Sequence, residues 1–264
     1  MPTALILRTA GTNCDEELAR AFELAGARAV RWHLDALAAE PAPIADADLI
    51  AFPGGFSYGD DVASGRLFAL RCRERLWPAL RDAAERGVPM IGVCNGFQVM
   101  TQAGLLPGPD AGEPWPEAAP TPTVALTDND SARFMDRWVR LRAEPACDCL
   151  WTEPLKALGD RLMFPIAHAE GRFVAPAAVL DRLEASGRVA LRYAEPVNGS
   201  ARDIAGICDR TGRLFALMPH PERALDHNRH PWFTRLDERS LAGDPPGLAM
   251  FRAAVESVRQ GASV

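Results

Sequence analysis

The amino-acid sequence predicts an α/β protein in which helices cover both faces of a mostly parallel central sheet that continues into an antiparallel extension. In the N-terminal part, short apolar runs alternate with amphipathic, helix-length stretches, and strand–helix–strand units with short links form parallel sheets. The second half instead shows alternating strand patterns and a hairpin turn. The 264 residues and 48% hydrophobic content can fill the core of such a fold.

Four apolar runs predict the strands of the parallel part, at residues 4–7, 29–32, 48–52 and 88–93. A first helix begins near Asn13 and stops near Gly26, and a long helix runs from about residue 65 to 86. The apolar side chains of the long helix share one face: Leu67, Leu70, Trp77, Leu80 and Ala84. Another helix follows Cys94 and ends at Gly104. Because sites form at the carboxyl ends of parallel strands, the Pro53-Gly-Gly run and Cys94 are expected to converge.

The rest of the chain changes character at a proline-rich stretch, residues 107–122, which predicts an exposed loop or mobile insertion. Residues 133–141 and 188–193 alternate as strands do, and the turn at residues 209–212 joins two more strands into a hairpin. A final helix covers about residues 246–260. No repeat or domain boundary is evident, so we expect one domain over residues 1–264.

Composition narrows the possible functions. A net charge of -6 argues against nonspecific binding to nucleic acid or to an anionic membrane. The N-terminus lacks the pattern of a signal peptide and no apolar run approaches bilayer length, so a cytoplasmic location is expected. The six cysteines include no CxxC pair, so we expect no metal site. Cys147 and Cys149 are predicted to be reduced thiols near the surface.

Cys94 lies where a short buried strand breaks into a glycine-flanked turn and a helix, within Gly92-Val-Cys-Asn-Gly-Phe-Gln98. This elbow exposes a nucleophile, and a helix N-terminus and a nearby imidazole favour the thiolate form of a cysteine. Gly92 and Gly96 permit the close chain approach that the elbow needs. Alone, Cys94 would more often be a buried structural cysteine; with its glycines and Gln98, the catalytic interpretation prevails.

His220 and Glu222 stand two residues apart in the Met218-Pro-His-Pro-Glu-Arg223 run. The flanking prolines stiffen the backbone, and the carboxylate can accept one ring N–H and set the tautomer of the imidazole. An isolated His-Pro-Glu would more often be surface loop. The Pro53-Gly54-Gly55 loop can present peptide N–H groups which, with that of Asn95, form an oxyanion hole.

These runs together resemble the class I, or triad, glutamine amidotransferases. Further runs are similar to one family in this class, the glutaminase subunits of phosphoribosylformylglycinamidine synthase: residues 8–16, 52–61, 129–134, 166–173, 198–200 and 218–223. The matches extend from about residue 4 to 223. The resemblance implies a flavodoxin-like three-layer sandwich. The sequence departs from the family at Ala10, at residues 107–122 and in a divergent tail from about residue 224.

The resemblance also implies the chemistry. Cys94 attacks the side-chain amide of glutamine to form a glutamyl thioester, His220 acts as base and then acid, and Glu222 orients it. Gly54, Gly55 and Asn95 are expected to contact the oxyanion. Gln98 is expected to bind the backbone groups of the substrate.

The implied partners are a large synthetase subunit, where ATP and Mg²⁺ bind, and a small accessory subunit; no cofactor is expected on this chain. His168 and Glu170 are typical of the family, with a role at the interface or the ammonia path, or only as a hydrogen-bonded strand pair. Two alternatives stay open at this point. The triad could serve a different acceptor synthetase, or the scaffold could be a non-catalytic binding subunit.

Overall fold

The computed structural model describes residues 1–238 and 241–261. Its strands are β1 (Thr3–Arg8), β2 (Arg28–His33), β3 (Leu49–Phe52), β4 (Met90–Val93), β5 (Ala125–Thr127), β6 (Met135–Ala143), β7 (Met163–His168), β8 (Arg172–Val174), β9 (Val189–Tyr193), β10 (Ile204–Cys208) and β11 (Leu214–Leu217). Its α-helices are α1 (Asp15–Leu24), α2 (Leu34–Ala39), α3 (Ala42–Ala45), α4 (Arg66–Arg71), α5 (Trp77–Glu85), α6 (Asn95–Ala103), α7 (Ala177–Ala185) and α8 (Pro246–Gly261).

A nine-stranded sheet organises the fold, with the strand order β2-β1-β3-β4-β11-β10-β9-β6-β7. The pairs among β2, β1, β3, β4 and β11 are parallel, and every pair from β11 through β10, β9 and β6 to β7 is antiparallel. β5 and β8 form a separate antiparallel pair. The predicted fold class, a mostly parallel α/β sheet with an antiparallel extension, is therefore confirmed.

The C-terminal helix returns to the N-terminal half of the molecule. Phe251 of α8 meets Phe22 of α1 edge-on, with ring centroids 5.1 Å apart. Trp151 lies edge-on to both rings, 6.5 Å from Phe22 and 6.3 Å from Phe251. All three aromatic side chains are fully buried, so burial of their large apolar surfaces holds the two ends of the chain together.

The predicted long helix between residues 65 and 86 is interrupted. α4 ends at Arg71, a five-residue π-helical turn covers Cys72–Leu76, and α5 begins at Trp77. Pro78 stands at the start of α5 and has no N–H to donate to the preceding turn, which accounts for the irregularity. Leu70 is 44% exposed and so lies outside the buried face to which its spacing assigned it.

The proline-rich stretch contains no helix or strand, as predicted, but it is attached to the helices beneath it. Arg73 donates to the carbonyl oxygens of Ala119 and Pro120, at 2.9 and 2.7 Å. The indole N–H of Trp77 donates to the Pro116 carbonyl oxygen at 3.1 Å. These bonds hold residues 107–122 as a defined surface loop.

Some elements were absent from the sequence-based prediction: α2, α3, α7, β5, β7 and β8. Cys147 and Cys149 are free thiols, as expected, but their expected place near the surface was wrong: both side chains are fully buried, and Cys147 Sγ lies 3.5 Å from Cys208 Sγ. The CxC segment faces the apolar core, where a neutral thiol behaves as a small hydrophobic group.

Candidate active site

Cys94 occupies the sharp elbow between β4 and α6, with φ 53° and ψ -107°. A non-glycine residue at positive φ costs about 1–3 kcal/mol, so the surrounding structure must hold it there. Gly96 makes the turn possible, because a Cβ atom on it would lie 1.9 Å from the Phe52 carbonyl oxygen. A Cβ atom on Gly92 would lie 2.7 Å from the Gly96 carbonyl oxygen. Both glycines are therefore required by close backbone contact.

His220 reaches Cys94 because the strands that precede them are neighbours. β11 pairs in parallel with β4, with Leu217 opposite Val93. The backbone N–H of Cys94 donates to the Leu217 carbonyl oxygen at 2.8 Å, and that of His220 donates to the Pro165 carbonyl oxygen of β7 at 2.8 Å. The carboxyl ends of two adjacent parallel strands thus deliver the thiol and the imidazole to one place.

Glu222 turns back onto the imidazole through the short 3₁₀ turn Pro221–Arg223. Its Oε1 lies 2.6 Å from Nδ1 of His220, and both side chains are almost fully buried. Burial alone lowers the pKa of His220, but the Glu222 carboxylate and the adjacent Cys94 outweigh it and raise the pKa to about 10. The ring is therefore held in its protonated form at neutral pH, and this form stabilises a nearby thiolate.

The glycine-rich loop after β3 forms one wall of the site. The position that a Cβ atom would take on Gly54 lies 3.0 Å from Cε1 of His220 and 3.4 Å from Cβ of Cys94. Gly55 has φ 125°, a conformation that L-residues rarely adopt, and it bridges Thr12. The structure thus brings Gly54 to the nucleophile, and any side chain on it would fill that space, whereas the nearest neighbours of Gly55 are Asn13 and Gly11.

Asn95 and Gln98 join a polar network inside the protein. The side-chain amide of Asn95 donates to Oε1 of Gln98 at 2.9 Å, and the Gln98 amide donates to the Glu170 carbonyl oxygen at 2.5 Å. Both side chains are buried. Gln98 was predicted to contact substrate; here its side chain supports the loop after β7, and the substrate contact stays a prediction.

His168 and Glu170 approach the site from the antiparallel side. His168 is buried, its Nδ1 lies 3.0 Å from Oδ1 of Asn129, and its pKa is lowered to about 4 by burial and by the nearby His220. Oε2 of Glu170 accepts from the backbone N–H of Ser64 at 3.2 Å. The carbonyl oxygen of Ala167 lies 3.7 Å from Sγ of Cys94. This segment therefore forms a second wall of the site.

Cys14 is the site residue that sequence reasoning missed. Its Sγ lies 3.3 Å from the Cβ position of Gly54, beside Cys94 and His220. Among the described residues, Cys14, His220 and Glu222 form the single His/Cys/Asp/Glu group whose donor atoms lie within 4.8 Å of one another. The available signal was its place at the carboxyl end of β1, one residue before α1.

The chain matches known proteins over most of its length. The model of the CobB/CobQ-like glutamine amidotransferase domain matches residues 1–258. "Phosphoribosylformylglycinamidine synthase subunit PurQ" of Dehalococcoides mccartyi is 40% identical over 97% of both chains. Its counterpart in Novosphingobium aromaticivorans is 44% identical over 85% of this chain and 89% of that protein. The chain belongs to the PurQ family of glutamine amidotransferases.

A solved structure agrees with this membership. "Structure of PurLQS from Thermotoga maritima" contains a chain with a TM-score of 0.72 and 34% identity, over 97% of this chain and 99% of that one. The match to the PurQ family includes the antiparallel extension as well as the parallel half. No helix in the described part of the chain is both long and apolar enough to cross a membrane.

Proposed function

We propose that this chain is the glutaminase subunit of a phosphoribosylformylglycinamidine synthase, which hydrolyses glutamine to glutamate and ammonia for a synthetase subunit in purine biosynthesis. The observation that carries the proposal is the convergence of Cys94, His220 and Glu222, with a 2.6 Å bond between the last two. The relatives named PurQ support the acceptor, because the triad itself contacts only the amide that is cleaved.

In the first half-reaction His220 takes the thiol proton of Cys94, the resulting thiolate attacks the side-chain carbonyl carbon of glutamine, and the carbonyl electrons move onto oxygen. In this proposal the backbone N–H groups of Gly54, Gly55 and Asn95 stabilise that oxyanion. His220 gives its proton to the departing nitrogen, the C–N bond breaks, and ammonia leaves a glutamyl thioester. Glu222 keeps the imidazole in the tautomer and orientation that this transfer needs.

In the second half-reaction water attacks the thioester. His220, now neutral, takes a proton from the water, and the C–S bond breaks to release glutamate and restore the Cys94 thiolate. Cys94 is only 6% exposed, so little bulk water reaches the nucleophile. No group beyond glutamine and water is required on this chain.

Ammonia must then reach the acceptor on another subunit. The related structure is that of PurLQS from Thermotoga maritima, and it supports a large synthetase subunit and a small accessory subunit as the proposed partners here. ATP and Mg²⁺ bind to the synthetase in this proposal, and the complex is cytoplasmic. In this proposal His168 and Glu170 act at the interface or on the ammonia path, unless they serve only as a hydrogen-bonded strand pair.

The decisive experiment is Cys94→Ala in the complex reconstituted with its synthetase subunit. We expect glutamine-dependent product formation to fall at least 10³-fold, while product formation from added ammonia is retained. Cys72→Ala, which removes an equally buried thiol remote from the site, is the matched control and should retain both rates. Full glutamine-dependent activity in Cys94→Ala would refute the assignment. If the wild-type chain supported product formation only with a different synthetase, the proposed acceptor would be wrong.

Without its partner, the chain is expected to hydrolyse glutamine slowly, since partner binding completes many such sites. Steady-state glutamate release by the lone subunit, with and without the synthetase, measures this. A high rate that does not change on adding the synthetase would contradict the expectation.

A further inference from the structure

Glu222 is held to the imidazole by a single hydrogen bond. Its Oε1 lies 2.6 Å from Nδ1 of His220, whereas its buried Oε2 has no hydrogen-bond partner in the described part of the chain. Buried polar atoms normally find a partner, so this carboxylate is fixed by fewer contacts than usual. Its place against the ring therefore depends on the backbone turn that carries it.

That turn, Pro221–Arg223, is closed by short local bonds. The backbone N–H of Arg223 donates to the His220 carbonyl oxygen at 3.2 Å, and that of Ala224 donates to the Pro221 carbonyl oxygen at 2.9 Å. A three-residue 3₁₀ turn has little stability of its own. Both α1 and α8 pack against it, so the contacts that it makes with these helices decide how firmly Glu222 is held.

The side chain of Arg223 joins this turn to the start of α1. Its Nε donates to Oε2 of Glu17 at 3.1 Å, and its Nη2 donates to Sγ of Cys14 at 3.3 Å. The planar guanidinium makes both contacts at once, which the compact ammonium group of a lysine cannot reproduce. The residue directly after Glu222 is therefore attached to two side chains that lie one helical turn apart.

Cys14 extends the same connection to the glycine loop. Its side chain is buried, and its Sγ lies 3.3 Å from the Cβ position of Gly54. Sγ also lies within 4.8 Å of a ring nitrogen of His220 and of a carboxylate oxygen of Glu222. Arg223 thus contacts a side chain that lies between the triad and the loop beside the nucleophile.

We propose that Arg223 is a positioning residue, which holds the turn that carries Glu222 against α1 and so keeps the carboxylate on His220. It acts through Glu222 and takes no part in the proton transfers. Its effect on turnover rests on the proposed glutaminase function, whereas its effect on the imidazole does not.

The first test is steady-state kinetics of Arg223→Ala, Arg223→Lys and Glu17→Ala in the complex reconstituted with its synthetase subunit. In Arg223→Ala we expect kcat to fall about 10–100-fold with KM for glutamine within about threefold of the wild type, because a misplaced catalytic group costs rate rather than binding. Glu17→Ala should lose about five- to tenfold in kcat. Arg223→Lys should lose less than Arg223→Ala, because lysine can keep the contact with Glu17 alone.

Arg20→Ala is the matched control. Arg20 lies on the same helix, and its Nη2 lies 3.1 Å from Oδ2 of Asp226, three residues after Arg223. This exposed ion pair also joins α1 to the chain after the triad, but it holds no residue of the turn, so kcat should stay within about twofold of the wild type. Equal losses of kcat in Arg20→Ala and Arg223→Ala would overturn the assignment to Arg223.

A double variant tests whether the contact itself is responsible. Glu17→Ala combined with Arg223→Ala should lose no more kcat than Arg223→Ala alone, because residues that act through one contact are not additive. Multiplied losses would mean that the two residues act separately, against the proposal. Thermal unfolding shows whether each variant is folded. If Arg223→Ala does not fold, Glu17→Ala carries the test, since the Glu17 side chain is 40% exposed.

The second readout is the titration of the His220 ring in the full chain, followed by NMR and assigned with His220→Asn. The titratable groups that face this ring are Glu222, Cys94, His168 and Cys14. Burial lowers the pKa of His220, but Glu222 and Cys94 outweigh burial and raise it to about 10.

In folded Arg223→Ala we expect the pKa of His220 to fall by at least about one unit, because Glu222 moves away from the ring. Removal of a nearby positive charge alone would raise this pKa, so an unchanged or raised value would overturn the positioning role. If the wild type does not hydrolyse glutamine but the pKa falls in Arg223→Ala, the glutaminase proposal fails and the positioning role stands.

Discussion

The parallel and antiparallel halves of the sheet contribute to the site in different ways. The parallel half supplies Cys94 and His220 from the ends of β4 and β11, which are adjacent and run in the same direction. The antiparallel half supplies a wall, through Ala167 and His168 at the end of β7. The reacting side chains thus come from adjacent parallel strands, whose pairing fixes their positions. The groups around them come from the antiparallel strands, whose position depends on the second half of the chain.

The largest effect on activity is expected from substituting Glu222, the residue that orients His220 in the parallel half. In Glu222→Gln the neutral amide no longer stabilises a protonated imidazole and can present its N–H₂ group to Nδ1. We expect kcat to fall at least 10²-fold, since the wrong tautomer is costly in such triads. Steady-state kinetics of the reconstituted complex measures this. Wild-type kcat in Glu222→Gln would remove Glu222 from the mechanism.

The same variant has a pH signature. The pKa of His220 is raised from 6.5 to about 10 in the folded chain. The interactions that raise this pKa therefore stabilise the folded chain fully below about pH 6.5, and this stabilisation is lost as the pH rises through about 10. Urea unfolding should show a decline of the free energy of unfolding over this range that is shallower in Glu222→Gln. If the free energy of unfolding had the same pH dependence in the wild type and in Glu222→Gln, the His220–Glu222 pair would contribute nothing to it.

The elbow is expected to be the next most sensitive feature. Gly96→Ala places a Cβ atom against the backbone of Phe52, which cannot move aside as a side chain can. We expect a loss of at least about 3 kcal/mol in the free energy of unfolding. Gly112→Ala is the control, because that site has φ 84° but no atom within 4 Å of the added Cβ position. The expected loss in the free energy of unfolding is therefore only about 1–2 kcal/mol. Equal losses would contradict the close packing at the elbow.

The smallest effect is expected from substituting His168, which lies in the wall that the antiparallel half supplies. The pKa of His168 is lowered to about 4, so this buried neutral ring stabilises the fold fully above about pH 6.5 and loses that effect as the pH falls toward 4. His168→Gln should therefore flatten the dependence of stability on pH between about 6.5 and 4. Denaturant unfolding at several pH values measures it, and an unchanged acid slope would mean that His168 is not held neutral.

Local signals made the reactive residues predictable. The Cys94 elbow is encoded by glycines two residues away on either side, and Glu222 reaches His220 within one short turn. The glycine loop after β3 was also predicted to lie beside Cys94, and Gly54 does so; its oxyanion role stays a prediction. Each of these features depends on fewer than about ten neighbouring residues, within the range where turn and breaker patterns are informative.

Other features depend on the order of the strands, which the sequence pattern does not give. Cys14 enters the site because β1 lies beside β3, two strands from β4. β7 was missed because Pro165 argues against a strand; the structure places β7 at the edge of the sheet, where proline is tolerated. β5 and β8 have three residues each, too few for an alternating pattern to be recognised.

The hydrogen bond from the His220 backbone to Pro165 has a mechanical consequence. It attaches His220, the proposed general base, directly to the outermost strand of the sheet, across a chain separation of more than fifty residues. Any subunit that binds along that border and shifts it also displaces the imidazole relative to the sulfur. We therefore expect a partner that shifts this strand to change the rate of ammonia production without contacting the amide that is cleaved.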